Sequence, residues 1–212
     1  MHNKNSVYIV GGGVEFDRMF VHQGWEVTRD LTTANLLQFT GGSDVSPSFY
    51  DEKEHSETRS NLLRDKRERI IFNLALKHHI PMTGVCRGGQ FLNVMNGGRM
   101  WQHVNNHSGV GNHNVYDIDT KESFVATSTH HQMMKPHRSA RLLATAKEAT
   151  RKERIGVNGQ VITLLGSLGT DVEVCYYLKS KSLCFQPHPE FGGCEDLRER
   201  YFNYIAQNLH LY

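Results

Sequence analysis

One cysteine lies in a glycine-rich segment that could make it a nucleophile. Cys86 is in the segment Gly84-Val85-Cys86-Arg87-Gly88, which follows a short apolar run and precedes a helical pattern. Glycines around a reactive residue allow the sharp strand-to-helix turn that exposes a nucleophile above a sheet. The unpaired N–H groups and the dipole of the helix would stabilise a thiolate at that position. A buried cysteine in a glycine-rich turn is the alternative that this segment alone leaves open.

A histidine and a glutamate near the end of the chain supply the other parts that a cysteine hydrolase needs. A cysteine nucleophile requires a base that takes its proton, and the base requires a group that orients it. His188 and Glu190 are two residues apart, in a stretch stiffened by Pro187 and Pro189. Because alternate side chains of an extended chain lie on one face, this spacing predicts a carboxylate that holds the imidazole. The alternative is an ordinary loop histidine, since the chain has 13 histidines.

Amide cleavage also builds a negative charge on oxygen, which preorganised N–H donors must stabilise. We expect one donor to be the backbone N–H of Arg87, directly after the nucleophile. The other is expected in the glycine pair Gly41-Gly42, which ends an earlier strand, and Gly42 fits this role. Taken alone, the pair is also typical of a plain turn.

The pattern of apolar residues predicts the elements that must position these groups. In the first hundred residues strands alternate with helices, which is typical of a parallel sheet with helices on both faces. Later strand-like runs are expected to add hairpins to the sheet. The fold class is therefore α/β: a single domain over residues 1–212, with a mostly parallel central sheet, helices on both faces and added antiparallel strands. The predicted strands are residues 7–10, 25–28, 36–40, 81–85, 115–118, 123–127, 142–145, 161–165, 172–178 and 183–185, and the predicted helices are residues 14–23, 62–79, 90–95 and 195–209.

Two expectations concern the long helix over residues 62–79. The basic run from Arg64 to Arg69 also contains Asp65 and Glu68, so we expect it to be a solvated helix face. The apolar residues are expected on one buried face. They are Leu62, Leu63, Ile70, Ile71, Leu74, Ala75 and Leu76.

Composition argues against several classes of protein. The 212 residues suffice for one sizeable core, and the formal net charge of +2 gives no reason to expect a nucleic-acid-binding surface. No apolar run approaches the ~18 residues of a membrane span, and the run at residues 7–10 is too short for a signal-peptide core. We therefore expect a cytoplasmic protein without a membrane partner. Its cysteines should be free thiols, namely Cys86, Cys175, Cys184 and Cys194.

Four segments together resemble the class I glutamine amidotransferase superfamily. The closest pattern is that of its γ-glutamyl hydrolase branch, which includes γ-glutamyl-GABA hydrolases. This branch shows a GGxDVxPxxY segment, a CRGxQxxNVxxGG segment, an HHQ segment and a QxHPE segment. The corresponding residues here are 41–50, 86–98, 130–132 and 186–190, and the resemblance extends from about residue 7 to 205.

The resemblance implies a cysteine hydrolase that cleaves a γ-glutamyl amide bond through a γ-glutamyl thioester, with no metal ion and no cofactor. The substrate would be glutamine or a γ-glutamyl amine, and the products glutamate and ammonia or an amine. The chain departs from the family at Phe185-Gln186-Pro187, where an aromatic residue often stands between the Gln and the His. The resemblance implies a triad of Cys86, His188 and Glu190, an oxyanion hole from Gly42 and Arg87, and a glutamyl site formed by Gln90 and the backbone near His130 and His131.

The hydrolase interpretation leaves two roles open. The protein acts alone on γ-glutamyl amines, or it releases ammonia from glutamine for a partner synthetase. In the second case the acceptor chemistry would lie on another polypeptide.

Two alternatives without hydrolysis are also open. Gly11-Gly12-Gly13 after a strand suggests a nucleotide-binding module, but Phe16 stands where the third glycine of GxGxxG belongs. A metal-binding protein is suggested by histidines in Asn- and Gly-rich loops, although no carboxylate pair or cysteine pair accompanies them in the sequence. These histidines are His103, His107, His113, His130 and His131.

Overall fold

The structure is a computed structural model that describes residues 5–109, 111–166 and 170–211. The ends of the predicted domain, residues 1–4 and 212, lie outside this range. Among the described residues, no helix is both long and apolar enough to cross a membrane. The elements in chain order are β1 (Ser6–Val10), α1 (Val14–His22), β2 (Glu26–Thr28), β3 (Leu36–Phe39), α2 (Leu62–Lys77), β4 (Met82–Val85), α3 (Arg87–Met95), β5 (Arg99–Trp101), β6 (His103–Val104), β7 (Gly111–Asp117), β8 (Ser123–Ser128), β9 (Met133–Lys135), β10 (Arg141–Ala146), β11 (Arg151–Ile155), β12 (Val161–Leu165), β13 (Asp171–Tyr177), β14 (Ser182–Phe185) and α4 (Glu195–Leu209).

The central sheet of the described chain is mixed and has 11 strands. Its main order is β2-β1-β3-β4-β14-β13-β10-β7-β8, with β9 beside β13 and β5 beside β9. The strands from β2 to β14 in this order run parallel, and the remaining pairs are antiparallel. The predicted α/β class with parallel core strands is confirmed, but the parallel part occupies only one side of the sheet.

The predicted strand at residues 161–165 does not join the central sheet. It forms β12 of a small sheet with the order β12-β11-β6. Its partner β11 has the sequence Arg-Lys-Glu-Arg-Ile, which lacks the apolar run by which a buried strand is recognised. Because β11 was not predicted, the hairpin it makes with β12 was not predicted either.

The closing helix α4 has the predicted bounds and the predicted buried face. The hydroxyl of Tyr201 lies within hydrogen-bonding distance of both Gln38 and Thr83, so this helix is also joined to β3 and β4 by polar contacts. The apolar stripe packs into the core on one face of the sheet. Its buried members are Leu197, Tyr201, Tyr204, Ile205 and Leu209.

The helix α2 buries a different face from the predicted one. Asp65 and Glu68 are 0% and 3% exposed, whereas five of the apolar residues expected inside are 38% exposed or more. The physical reason is Arg87, whose guanidinium is buried and donates to both carboxylates. The buried charge of Arg87 needs both carboxylates, and this requirement determines which face of α2 is buried. The prediction of a solvated face is therefore wrong for Asp65 and Glu68. The exposed apolar residues are Leu62, Leu63, Ile70, Leu74 and Leu76.

Three neighbouring parallel strands bring the predicted chemistry to one edge of the sheet. β3, β4 and β14 are adjacent, and the segments after their carboxyl ends contain Gly42, Cys86 and His188 respectively. The carboxyl ends of parallel strands meet at a common edge, where ligands bind in open α/β sheets. The topology therefore places the three segments side by side.

The turn between β4 and α3 requires glycine because backbone atoms approach closely there. A Cβ on Gly88 would lie 2.2 Å from the carbonyl oxygen of Phe39 on β3. A Cβ on Gly84 would lie 2.3 Å from the carbonyl carbon of Gly88. The start of α3 can therefore pack directly against the strands only without these side-chain atoms.

Replacing Gly88 with alanine is expected to lower the free energy of unfolding by about 1–3 kcal/mol, because the new Cβ would meet a backbone oxygen that cannot move aside. Gly192→Ala is the matched control, since nothing lies within 4 Å of the corresponding Cβ. Urea denaturation measures both variants against the wild type. Equal stability of the two variants would contradict the close approach at Gly88.

Candidate active site

Cys86 has a strained backbone at the point where β4 becomes α3. Its φ is 51° and its ψ is −116°, a conformation that a residue with a side chain rarely adopts. Its N–H donates to Phe185 O at 2.8 Å, and its carbonyl accepts the N–H of Gln90 at 3.0 Å. These bonds hold a half-buried thiol at the N-terminus of a helix, as the strand-turn-helix pattern predicts.

The structure brings His188 and Glu190 together beside this cysteine. His188 Nδ1 lies 2.7 Å from Glu190 Oε1, and the imidazole must donate because a carboxylate only accepts. Burial by itself lowers the pKa of His188, but hydrogen bonds to Cys86 and Glu190 outweigh it and raise this pKa to about 10. The imidazole is therefore coupled to the thiol on one side and to the carboxylate on the other.

The contact between His188 and Glu190 forms in a turn rather than along a strand. β14 ends at Phe185, and Pro189 and Glu190 lie in a turn. We expected His188 and Glu190 to lie on one face of an extended chain. The backbone is a turn instead, so this part of the prediction is wrong, although the two side chains do meet. The imidazole is also held by stacking on the ring of Phe191, at a centroid distance of 4.4 Å and an interplanar angle of 9°.

The glycine pair after β3 lies against the cysteine and the histidine. A Cβ on Gly41 would be 3.3 Å from His188 Cε1 and 3.8 Å from Cys86 Cβ. The carbonyl of Gly41 accepts a hydrogen bond from Arg64 Nη1 at 2.9 Å. Because the C=O and N–H of a trans peptide point in opposite directions, the N–H of Gly42 points away from Arg64. Gly42 lines the same cavity as Cys86.

A buried network of charges joins this loop to the start of α3. Arg64 donates to Glu68 Oε1 at 2.7 Å and to the carbonyl of Thr40 at 2.9 Å. Glu68 and Asp65 also accept from Arg87, the residue after the cysteine. The sequence predicted Arg64, Asp65 and Glu68 on a solvated helix face, and their role in holding the loop is visible only from these contacts.

A cavity of about 160 Å³ opens at Cys86. His131 Nε2 lies 3.3 Å from Asp44 Oδ2, and this hydrogen bond is the main reason that the pKa of His131 is raised. Gln90 Nε2 lies 3.1 Å from Gln186 Oε1, so the protein itself already engages this amide nitrogen. A larger groove of about 730 Å³, between β8 and α4, contains none of the predicted site residues. The residues lining the smaller cavity are Gly42, Ser43, Asp44, Arg59, Cys86, Gln90, Thr129, His130, His131 and Gln132.

Close packing explains why a glycine follows β1 at position 11. A Cβ on Gly11 would lie 2.4 Å from Thr40 Oγ1 and 3.0 Å from Arg64 Nη2. The space beside this glycine is therefore filled by the protein's own side chains, where a nucleotide-binding loop would approach a phosphate.

The histidines of the metal-binding alternative fall into two groups. The imidazole of His103 stacks on that of His55 and lies close to that of His131. The second group is buried around Glu173 and consists of His107, His113 and His130. No carboxylate pair lies near these histidines in the sequence, but in the folded chain β13 brings Asp171 and Glu173 next to them. The three residues expected to bind substrate, Gln90, His130 and His131, all line the cavity at Cys86. The ring of His130, however, lies near Glu173 in the interior.

Comparison with known proteins identifies the family and the fold of this chain. The model of the family described as Peptidase C26 matches residues 21–160. The glutamine amidotransferase-like protein YvdE of Lactococcus lactis is 32% identical over 124 residues, which are 50% of this chain and 52% of that protein. The carbamoyl phosphate synthase small chain of Pyrococcus furiosus is 28% identical over 129 residues, which are 60% of this chain and 33% of that one.

This chain thus spans about half the length of the YvdE protein that it matches. A glutamine amidotransferase of Thermotoga maritima has the same fold, with a TM-score of 0.63 and 16% identity over 97% of this chain and 86% of that chain. The family match covers well over half of the sequence. The chain belongs to the peptidase C26 family of the class I glutamine amidotransferase superfamily.

Proposed function

We propose that this protein hydrolyses a γ-glutamyl amide, either glutamine or a γ-glutamyl amine, with Cys86 as the nucleophile. The observation that carries the proposal is the position of a strained thiol at a helix N-terminus, with His188 beside it on the same side of Gly41 and with Glu190 orienting the imidazole. A nucleophile, a base and an orienting carboxylate in contact are the parts that covalent hydrolysis requires.

In the first half of the reaction the proton of Cys86 is held by His188, and the thiolate attacks the γ-carbonyl carbon of the substrate. The oxyanion that forms is stabilised by the backbone N–H groups of Gly42 and Arg87. His188 then gives its proton to the leaving nitrogen. Ammonia or an amine departs, and the γ-glutamyl group remains on sulfur as a thioester.

In the second half water replaces the amine. His188 removes a proton from the water molecule, which attacks the thioester, and the same proton returns to the sulfur as glutamate leaves. Glu190 keeps the imidazole in one tautomer, because its carboxylate accepts a hydrogen bond from the Nδ1–H group throughout. Neither half requires an oxidant or a reductant.

The small cavity fits the glutamyl part of such a substrate. It offers the carboxylate of Asp44 and the guanidinium of Arg59, which are complementary to an α-ammonium and an α-carboxylate. We assign Gln90 and the backbone near His130 and His131 to the glutamyl group, on the same side of the cavity. The leaving amine would then lie toward the open mouth of the cavity, where substrates differ.

We infer that the protein belongs to the γ-glutamyl hydrolase branch, because its four motif segments resemble that branch and three of them line the cavity at Cys86. A second candidate function is the release of ammonia from glutamine for a separate synthetase. The similarity to a carbamoyl phosphate synthase small chain favours this candidate.

Cys86→Ala is expected to abolish turnover and leave the fold intact, since no thioester can form without the thiol. Cys194→Ala is the matched control, because Cys194 is also half-buried but lies at the N-cap of α4 and does not line the cavity at Cys86. The checks are glutamate release and intact mass after treatment with a glutamine-mimicking electrophile. Labelling of any cysteine other than Cys86 would remove this assignment.

His188→Ala is expected to lower kcat by about 10²–10⁴-fold, as for a general acid–base residue. Glu190→Gln should lower kcat less, because Glu190 orients the imidazole and carries no proton to the substrate. His78→Ala, at an exposed position after α2, is the control for a change of histidine. Wild-type activity of His188→Ala on one γ-glutamyl amide would contradict the triad.

The purified chain is expected to hydrolyse at least one γ-glutamyl amine without a synthetase. The measurement is glutamate release from glutamine and from a panel of γ-glutamyl amines of different size and charge. Rapid release from one amine, with glutamine poor, supports the hydrolase branch. Comparable slow release from all substrates favours the ammonia-supplying role. No release by a folded protein with a reactive Cys86 would show that this prediction is wrong.

A further inference from the structure

Four side chains that the proposed reaction does not use converge in the interior. His107, His113 and His130 surround the carboxylate of Glu173, and all four residues are at most 8% exposed. The ring nitrogens lie 3.7, 3.2 and 3.9 Å from the carboxylate oxygens, respectively. Histidine and carboxylate ligands at such separations are typical of a metal centre.

The neighbours of His107 determine which of its ring nitrogens carries the hydrogen of a neutral ring. Its Nε2 lies 3.0 Å from Asp171 Oδ2, which can only accept, so Nε2 carries the hydrogen. The hydroxyl of Ser128 lies 2.9 Å from the carbonyl of His107 and 3.4 Å from His107 Nδ1, and its single hydrogen is donated along the shorter contact. The Nδ1 of a neutral His107 is therefore a lone pair, and it faces Glu173 Oε1 at 3.7 Å.

His130 repeats this arrangement. Its Nδ1 lies 2.9 Å from the carbonyl of Gln132, so Nδ1 carries the hydrogen. That hydrogen is the only one that a neutral ring carries on nitrogen. Its Nε2 is then a lone pair directed at Glu173 Oε2, 3.9 Å away, and both atoms lack a hydrogen-bond partner among the described residues.

Two imidazole lone pairs thus face one carboxylate with no hydrogen between them. Such a group of buried acceptors costs free energy unless something positive lies among them. His113, with Nε2 3.2 Å from Glu173 Oε1, supplies at most one hydrogen, and this reaches only one of the two oxygens. A cation at the centre would satisfy all three rings and both carboxylate oxygens.

We propose that His107 Nδ1, His113 Nε2, His130 Nε2 and the carboxylate of Glu173 bind one divalent transition-metal ion, with Zn²⁺ preferred. In a tetrahedral zinc site with bonds of about 2.1 Å the ligand atoms are about 3.4 Å apart. The ligand atoms of His107, His113 and Glu173 all lie within 4.8 Å of one another, and His130 Nε2 lies 3.9 Å from Glu173 Oε2, so the side chains must move inward to reach bonding distances. Four protein ligands leave no open position, which makes the site structural rather than catalytic.

The surroundings of these ligands support the assignment. Metal-binding histidines donate their other ring N–H to a carboxylate or a backbone carbonyl. Here Asp171 accepts from His107, and the carbonyl of Gln132 accepts from His130. Asp171 is itself held by the N–H groups of Glu148 and Ala149, at 2.9 and 2.8 Å.

The first test uses the whole protein after dialysis against a chelator. Titration calorimetry with ZnSO₄ is expected to show one tight site per chain, and elemental analysis one retained zinc after desalting. Co²⁺ added in place of Zn²⁺ is expected to give the visible absorption of a four-coordinate ion. Repeating the Co²⁺ titration with Cys86→Ala excludes the thiol as a ligand and keeps the result independent of turnover.

The second test compares variants. His113→Gln and Glu173→Gln are expected to weaken zinc binding by more than about 100-fold, and Asp171→Asn by about 10–100-fold, as for a group that orients a ligand. His103→Gln is the matched control, because His103 belongs to the other histidine group.

Two results would overturn the proposal. The first is the absence of both stoichiometric zinc binding and the cobalt absorption in the folded wild-type protein, which would mean that the three rings share hydrogens with Glu173. The second is binding that survives Glu173→Gln but is lost in His103→Gln, which would place the metal at the other histidine group. The cobalt spectrum of the wild type decides the matter if a variant fails to fold.

Discussion

The guanidinium of Arg87 carries a full charge in the interior, and the arrangement of the site depends on its two carboxylate partners. It is only 1% exposed and donates to both Asp65 and Glu68. Removing one partner of a buried ion pair typically costs about 3–5 kcal/mol, because an uncompensated charge is left behind. Helix α2 must therefore dock with its acidic face inward, which in turn places Arg64 beside the loop after β3. One network of two cations and two anions thus fixes both the residue after Cys86 and the loop that contains Gly42.

Sequence patterns predicted the parts of the fold in which periodicity and packing agree. The stripe of α4 is buried as its apolar spacing indicates, and the glycines around Cys86 mark a turn at which backbones touch. The same reasoning failed at α2, because it ranks Leu and Ile above Asp and Glu for burial. Such reasoning does not include the charge of Arg87, which lies 19 residues after Glu68 and 22 residues after Asp65 in the chain. Burial of an acidic face is apparent only when its cationic partner is known.

The site shows the same division. The sequence predicted which residues would meet, namely Cys86, His188 and Glu190, because each segment follows the end of a strand. It did not predict the turn in which His188 and Glu190 meet, or the stacking of Phe191 on the imidazole. Proximity across the sheet was also invisible: Glu173 is 60 residues from His113 along the chain but shares a hydrogen bond with it. Strand pairing brings such groups together, and periodicity alone carries no information about it.

The carbonyl of Gln132 lies at a point shared by two regions of the molecule. It accepts from the imidazole of His130 at 2.9 Å and lies 3.3 Å from the amide nitrogen of Gln90, which lines the cavity at Cys86. A rotation of this single peptide group would break one contact to the interior and one to the cavity wall at the same time. The position of Gln90 in the cavity wall therefore depends on how firmly His130 is held in the interior. Substitutions in the interior that never touch a substrate can still change how tightly the cavity closes around one.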